Sequence, residues 1–320
     1  MRMRSSRAGA KPALRFIGAS VVAAVFAVAC GSTASPSPGP RSATFPVTIS
    51  EAGGASVTIT KRPERIVSLS PSATELLFAI GAGAQVVAVD DQSNYPPSAP
   101  MTKLSGFTPN VEAIVSYHPD LVVAADDTAG LVHGLDALSI PTLVQPAAKK
   151  VDDTYIQIDQ LGAATGHPAE ADALTKKMRE DIAKVLASVP KPSRAIKVYH
   201  ELDDTYYSAT SNTFIGQAYA LLGLQNIADG ATAATTDYPQ LSAEYIVASN
   251  PDLIVLADTK CCHQDLQTVA ARAGWGAIAA VKHGEVIGVD DDVSSRWGPR
   301  IVDFLQLLAP HVREVEAQAA

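Results

Sequence analysis

Residues 112–126 read EAIVSYHPDLVVAAD, and residues 244–258 read EYIVASNPDLIVLAD. The two stretches lie 132 positions apart and agree at Glu, Ile-Val, Pro-Asp-Leu and the closing Asp. Each opens on a helix-like segment that carries the Glu. Each then meets Pro119-Asp120 or Pro251-Asp252, where proline stops the helix and the chain turns. Each ends in an apolar run, LVVAA or LIVLA, too short for a helix and bearing β-branched residues. Such a run suits a strand buried on both faces of a parallel sheet. Helix–turn–strand units recur in any α/β fold, but agreement at this level of detail predicts a duplicated lobe.

The surrounding segments fit the same plan. FPVTISEAGGASVTI (45–59) alternates about Gly53-Gly54 and reads as a hairpin. RIVSLS (65–70) reads as a strand, followed by a helix in PSATELLFAIGAG (71–83), with Ser72 as N-cap, Glu75 completing a capping box, and Gly81 and Gly83 closing it. QVVAVD (85–90), PTLVQ (141–145) and AIKVYHE (195–201) read as further strands. Between residues 152 and 189 strand signals vanish. After His167-Pro168, apolar residues at Leu174, Met178, Ile182, Val185 and Leu186 form one stripe at helical spacing. The expected fold is α/β, with two lobes, each a mostly parallel sheet flanked by helices, joined by one long rigid helix. The expected boundaries are an N-terminal lobe at 45–151, a connecting helical segment at 152–190 and a C-terminal lobe at 191–320.

The chain's 320 residues suit two lobes better than a single core. Its net charge of −8, with no basic patch, argues against nucleic acid as a partner. Residues 1–30 combine Arg2, Arg4, Arg7, Lys11 and Arg15 with an uncharged apolar run from Phe16 to Ala29. Small residues before Cys30 match the signal of a bacterial lipoprotein, with Cys30 as the lipidation site; an ordinary secretory peptide is the plainer reading. The run is short for a membrane-spanning helix. Residues 31–44 contain SPSPGPRS and read as a Ser/Pro tether. The remaining cysteines, Cys261 and Cys262, are adjacent. They read as a vicinal disulfide or a pair of thiols; a metal cluster with His263 lacks the usual spacing.

RIVSLSPSATELLFAIGAG (65–83), NYPP (94–97) and GFTPNVEAIVSYHPDLVVA (106–124) resemble the N-terminal lobe of helix-linked periplasmic binding proteins for cobalamin, ferric siderophores and haem. YPQLSAEYIVASNPDLIVLAD (238–258) and SSRWGPRIVDFLQLLA (294–309) resemble their second lobe. SPSATEL, YPP and the Phe-Thr ahead of Glu112 are most similar to cobalamin binders. The resemblance implies a ligand cleft between the lobes, lined by loops at strand ends, where the candidates are Tyr95, Phe107, Tyr206, Tyr207, Tyr238, Arg296 and Trp297. A flat macrocycle wants aromatic faces there. Cobalamin binders would place such contacts at Phe107, Tyr207 and Tyr238; a further aromatic of theirs falls near Ala125 and is missing here. Arg296 could hold an anionic ligand edge or pair with Asp290, Asp291 or Asp292.

The resemblance also gives the repeat a purpose. Glu112 and Glu244 match the acidic residues by which each lobe of such proteins docks on a transporter, one per subunit of the permease dimer. A glutamate in the first turn of a helix is also favoured by the helix dipole. The implied protein is a monomeric, extracytoplasmic lipoprotein that delivers a small molecule to an ABC permease, needs no cofactor, and is held at the membrane by lipid on Cys30. The ligand is a cobalamin-like corrinoid, or alternatively a ferric siderophore or haem. An enzyme is disfavoured: no GxSxG, HExxH, GxGxxG or Walker pattern is present. A bare metal-ion binder would need convergent ligands, and His200 with Glu201 and His118 with Asp120 are the best available.

Overall fold

The structure, a computed structural model, describes residues 43–231 and 236–318. The signal segment 1–30 with Cys30, and tether residues 31–42, lie outside the described residues.

Strands β1 (Val47–Ser50) and β2 (Ser56–Ile59) form the antiparallel hairpin, Val47 facing Ile59. The N-terminal lobe then runs β3 (Ile66–Leu69), α1 (Pro71–Ala79), β4 (Val86–Asp90), β5 (Met101–Leu104), α2 (Val111–Val115), β6 (Leu121–Ala124), α3 (Leu131–Asp136) and β7 (Thr142–Val144). Its strands make one parallel sheet in the order β5-β4-β3-β6-β7. Two helices follow, α4 (Val151–Thr165) and α5 (Pro168–Ala187). The C-terminal lobe contains β8 (Lys197–Glu201), α6 (Phe214–Leu221), β9 (Gln225–Asn226), α7 (Ala243–Ser249), β10 (Leu253–Leu256), α8 (Leu266–Ala270), α9 (Ala279–His283), β11 (Val286–Gly288), α10 (Asp291–Ser295) and α11 (Ile301–Gln318). Its sheet is also parallel, in the order β11-β10-β8-β9.

The repeated sequence becomes the same unit in each lobe, α2 then β6 and α7 then β10. Both strands are buried along their whole length. Alternation sends Leu121 and Val123, like Leu253 and Val255, into one core shared by both lobes. Val122 and Ala124 face a separate outer core of the N-terminal lobe, and Ile254 and Leu256 face that of the C-terminal lobe. Ile114 of α2 and Ile246 of α7 each close the outer core of their own lobe. The turns repeat as well. His118 and Asn250, which precede the prolines, take left-handed conformations with φ of 50° and 49°. Asp120 accepts the backbone N–H groups of Glu64 and Arg65 ahead of β3, and Asp252 accepts that of Lys197 at 2.8 Å as β8 begins. Each Pro-Asp turn therefore locks its strand to the neighbouring one, which is a physical reason for this dipeptide to occur twice.

The connecting segment is broken at Gly166, where φ of 84° ends α4, and Pro168 opens α5. Helix α4 packs on α1 and β1 of the N-terminal lobe. Helix α5 packs on α4 and on α11, so the rigid link is α5, about 30 Å long. Its stripe of Met178, Ile182 and Val185 lies in the shared core.

Helix α1 differs from expectation at its start. Pro71 has no N–H to offer and fits the first helical position, which moves the cap back to Ser70, whose hydroxyl accepts from Ala73 N–H. Ser72 is buried inside the helix, and Glu75 forms no capping box.

Candidate functional site

In both sheets the chain starts from an inner strand, β3 or β8, and winds outward in both directions. Loops leaving the carboxyl ends of such strands make the crevice where ligands are held. Among the described residues, polar contacts join strand-end loops of the two lobes on either side. On one, Asn94, beyond β4, donates to Asp292 Oδ2 at 2.9 Å. On the other, Lys149, beyond β7, lies 3.4 Å from Asp237. These contacts fall at opposite sides of each sheet.

Four of the expected aromatics are exposed on strand-end loops, Tyr95 among them at 42%. Phe107 is 77% exposed, Tyr238 48% and Tyr207 41%. Gly106 explains the position of Phe107. A Cβ there would come within 2.5 Å of the Leu69 carbonyl and 2.8 Å of Asp90 Oδ2, so only glycine lets this loop lie against the ends of β3 and β4. Tyr207 and Tyr238 occupy loops stitched together by the Tyr207–Gln240 bridge and by Ser208 N–H to the Pro239 carbonyl at 2.9 Å.

The other candidates are turned to different work. Tyr206 has φ of 71°, which swings its ring into the outer core against Trp275, 5.7 Å between centroids, with Arg272 5.3 Å from its own. Trp297 is half-buried against the shared core. Tyr95 stays exposed, but its ring lies 4.4 Å from the Arg300 guanidinium, at a groove of about 520 Å³ flanked by Phe78, Met178 and Val302.

Arg296, expected to hold an anionic ligand edge or to pair with Asp290, Asp291 or Asp292, pairs with Asp292 and also reaches the N-terminal lobe. It is 7% exposed and donates to Glu75 Oε1 at 3.1 Å, Asn94 Oδ1 at 2.8 Å, the Gln92 carbonyl at 2.9 Å and Asp292 Oδ1 at 2.6 Å. Arg300 grips the same Glu75, its Nε 2.9 Å from Oε2 and its Nη2 bonded to Oε1. Two arginines of the C-terminal lobe thus close on one buried glutamate of the N-terminal lobe. Sequence reasoning missed this junction. The available signal was an acid inside the apolar helix α1 and two arginines four residues apart.

The metal candidates do not converge. His200 and Glu201 are neighbours on β8 and point to opposite faces. His200 Nδ1 lies 2.6 Å from the Tyr219 hydroxyl, and burial drops its pKa to about 3, so it is neutral. Glu201 is bound by both Nη atoms of Arg272 at 2.6 Å. His118 is exposed, and Asp120 is occupied by backbone amides. Asp290, Asp291 and Asp292 cluster, but the Lys260 ammonium sits among them at 2.7, 3.0 and 3.4 Å. Beneath the end of β10, Asp258 is fully buried, with both carboxylate oxygens lacking a hydrogen-bond partner among the described residues. Burial, reinforced by Glu201, pushes its pKa up to about 7.

Glu112 and Glu244 are exposed, each at the second position of its helix. Their caps are equivalent too: Asn110 accepts from Ala113 N–H at 2.9 Å, and Ser242 from Tyr245 N–H at 3.1 Å. Among the described residues no helix is long and apolar enough to cross a membrane.

Known proteins resemble this chain in sequence and in fold. The chain is 33% identical over 306 residues to an uncharacterized ABC transporter substrate-binding lipoprotein of Bacillus subtilis (strain 168), covering 91% of this chain and 94% of that one. It is 34% identical over 278 residues to a cobalamin-binding protein of Halobacterium salinarum (strain ATCC 29341 / DSM 671 / R1), covering 84% and 74%. The periplasmic heme-binding protein RhuT of Roseiflexus sp. RS-1, solved in apo form, shares its fold with a TM-score of 0.68 at 23% identity, over 79% of this chain and 99% of that one. Residues 66–293 match the family described as periplasmic binding protein. With both parallel-sheet lobes and nearly the whole relative accounted for, the chain belongs to the periplasmic binding protein family, as the extracytoplasmic substrate-binding component of an ABC importer.

Proposed function

We propose that this protein captures a cobalamin-like corrinoid between its lobes and delivers it to a permease dimer. The observation that carries the reading is the set of three exposed, uncharged aromatics, Phe107, Tyr207 and Tyr238, on strand-end loops of both lobes. A rigid macrocycle offers two broad faces, and aromatic rings cover such faces at small entropic cost. The 34% identity to a cobalamin-binding protein supports the same ligand class. Tyr95, with Arg300 over its ring, lines a separate groove with Phe78, Met178 and Val302 and stands apart from this set. Arg296, Trp297 and Tyr206 have no part in the contact, because each is committed to packing or to the junction.

Glu112 and Glu244 serve as the docking charges, one on the outer helix of each lobe. Exposed charges of this kind steer encounter and fix orientation more than they add affinity. Lipid on Cys30 and the tether at 31–44 hold the protein as a monomer outside the cell membrane. The small hinge allowed by α5 suits a cleft that closes little around its ligand.

Titration with cyanocobalamin, haem and several ferric siderophores, followed by intrinsic fluorescence and absorbance, tests the ligand. Saturation by the corrinoid, lost in Phe107→Ala and in Tyr207→Ala/Tyr238→Ala, is the expected result. Saturation by haem or a ferric siderophore alone would overturn the corrinoid assignment while leaving the importer role intact.

A further inference from the structure

Cys261 and Cys262 are joined as a disulfide between adjacent residues, in the turn that leaves the carboxyl end of β10. The corresponding turn of the N-terminal lobe, 132 positions earlier, has Ala129-Gly130 in left-handed conformations, φ 57° and 69°. The C-terminal lobe puts a covalent ring where the N-terminal lobe has a small residue and a glycine. A cross-link between neighbours closes almost no loop, so it removes almost nothing from the unfolded ensemble. Its effect is local.

That locality matters because of what the turn is tied to. Cys262 N–H donates to the Asp258 carbonyl at 3.1 Å. Gln264 Nε2 donates to the Cys262 carbonyl at 3.0 Å, and Gln264 Oε1 accepts from Arg272 Nη2 at 2.7 Å. Arg272 in turn holds buried Glu201. The turn is therefore fastened to the buried Glu201–Arg272 pair through Cys262, and its first residue, Asp258, is buried without hydrogen-bond partners for its carboxylate among the described residues. Cys261 is the more exposed of the pair, and its sulfur lies 3.7 Å from the Asp258 carbonyl at the edge of the turn, which makes it the side from which an external thiol approaches.

We propose that Cys261–Cys262 is a thiol–disulfide exchange site for an external dithiol, and that its redox state sets the order of the turn at residues 258–265. A thiolate of the dithiol attacks Cys261 Sγ, the S–S bond breaks, and the Cys262 thiolate leaves and takes a proton from solvent. The second thiol of the reductant then attacks its own sulfur in the mixed disulfide and releases Cys261. The dithiol is oxidised by two electrons, and the protein gains two electrons and two protons. With the ring open, Cys261 and Cys262 choose rotamers independently, and the hydrogen bonds through Cys262 lose their fixed geometry.

Amide hydrogen exchange of the full chain, with and without dithiothreitol and without ligand, tests this independently of what the cleft binds. Peptide mapping confines the readout to 258–265 and separates it from Cys30. The expected result is a peptide two hydrogens heavier after reduction, modification of the reduced pair by phenylarsine oxide, and exchange in this turn faster by about tenfold while β10 stays protected. Cys261→Ser/Cys262→Ser should exchange fast with or without reductant. Equal exchange in the oxidised and reduced wild-type protein, or a pair that dithiothreitol leaves bonded in the folded state, would overturn the proposal.

Discussion

The helix–turn–strand unit of the N-terminal lobe and its copy in the C-terminal lobe agree wherever the backbone must be placed and part company at the strand ends. Capping side chain, exposed glutamate, buried isoleucine, left-handed turn and Pro-Asp lock occur in both. Beyond the strands, Asp126 is exposed, whereas its counterpart Asp258 is buried beneath a disulfide-bearing turn. The first helices differ as well: α1 carries Glu75 into the junction, whereas α6 has no acidic residue. The two copies agree in the parts that build a sheet and differ in the parts beyond the strand ends.

Four perturbations would sharpen or break this comparison. The largest concerns the shared parts. Glu112→Arg with Glu244→Arg should abolish uptake while ligand binding is unchanged, and each single reversal should reduce uptake to a similar extent. Normal transport by the double variant sinks the docking role; strongly unequal singles sink the equivalence of the lobes. Next comes a part that only one lobe has. Glu75→Ala strands Arg296 and Arg300 in a buried junction and should cost about 3–5 kcal/mol in urea denaturation. A loss below about 1 kcal/mol would mean that the junction is solvated and does not hold the lobes together.

The third perturbation uses pH. Asp258 faces Glu201, Tyr199 and Arg272, and its folded pKa of about 7 lies above the ordinary value of 3.8. The proton is therefore held more tightly in the folded state. This site's contribution to stability is fully present below about 4 and is lost as pH rises through about 7. Relative to Asp258→Asn, wild-type protein should lose stability across that window; parallel stability curves would remove the effect. The smallest perturbation exchanges the turn residues. Asn tolerates the left-handed region better than His, so His118→Asn should gain under about 1 kcal/mol. Asn250→His should cost about 1–2 kcal/mol, because the Asn250 side chain also accepts Ala279 N–H at 2.8 Å. A gain in both variants would show that the two turns are not under the same strain.

Much of the fold was legible because its signals are local. The two strands bracketed by Pro-Asp and apolar runs, the hairpin and the α5 stripe each depend on residues within one or two turns of one another. The cap of α1 was misplaced by two residues because Ser70 and Ser72 flank Pro71, and only the fit of proline to the first helical position decides between them. The fates of the site residues were less legible. Glu75 meets partners more than 220 positions downstream. Tyr206 and Tyr207 are adjacent in sequence, and only a positive φ at the first turns one ring inward and leaves the other exposed. Such choices are settled by packing between elements, which residue spacing does not encode.

The shared core has a consequence for how such a chain can be recombined. The seam visible in the sequence is absent from the interior, since residues of both sheets, α5 and α11 belong to one apolar body. A chimera that took either half from a relative would inherit a mismatched surface along Met178, Ile182, Val185, Phe304 and Leu308. Altering exposed strand-end loops leaves this apolar body intact, whereas trading lobes replaces half of it.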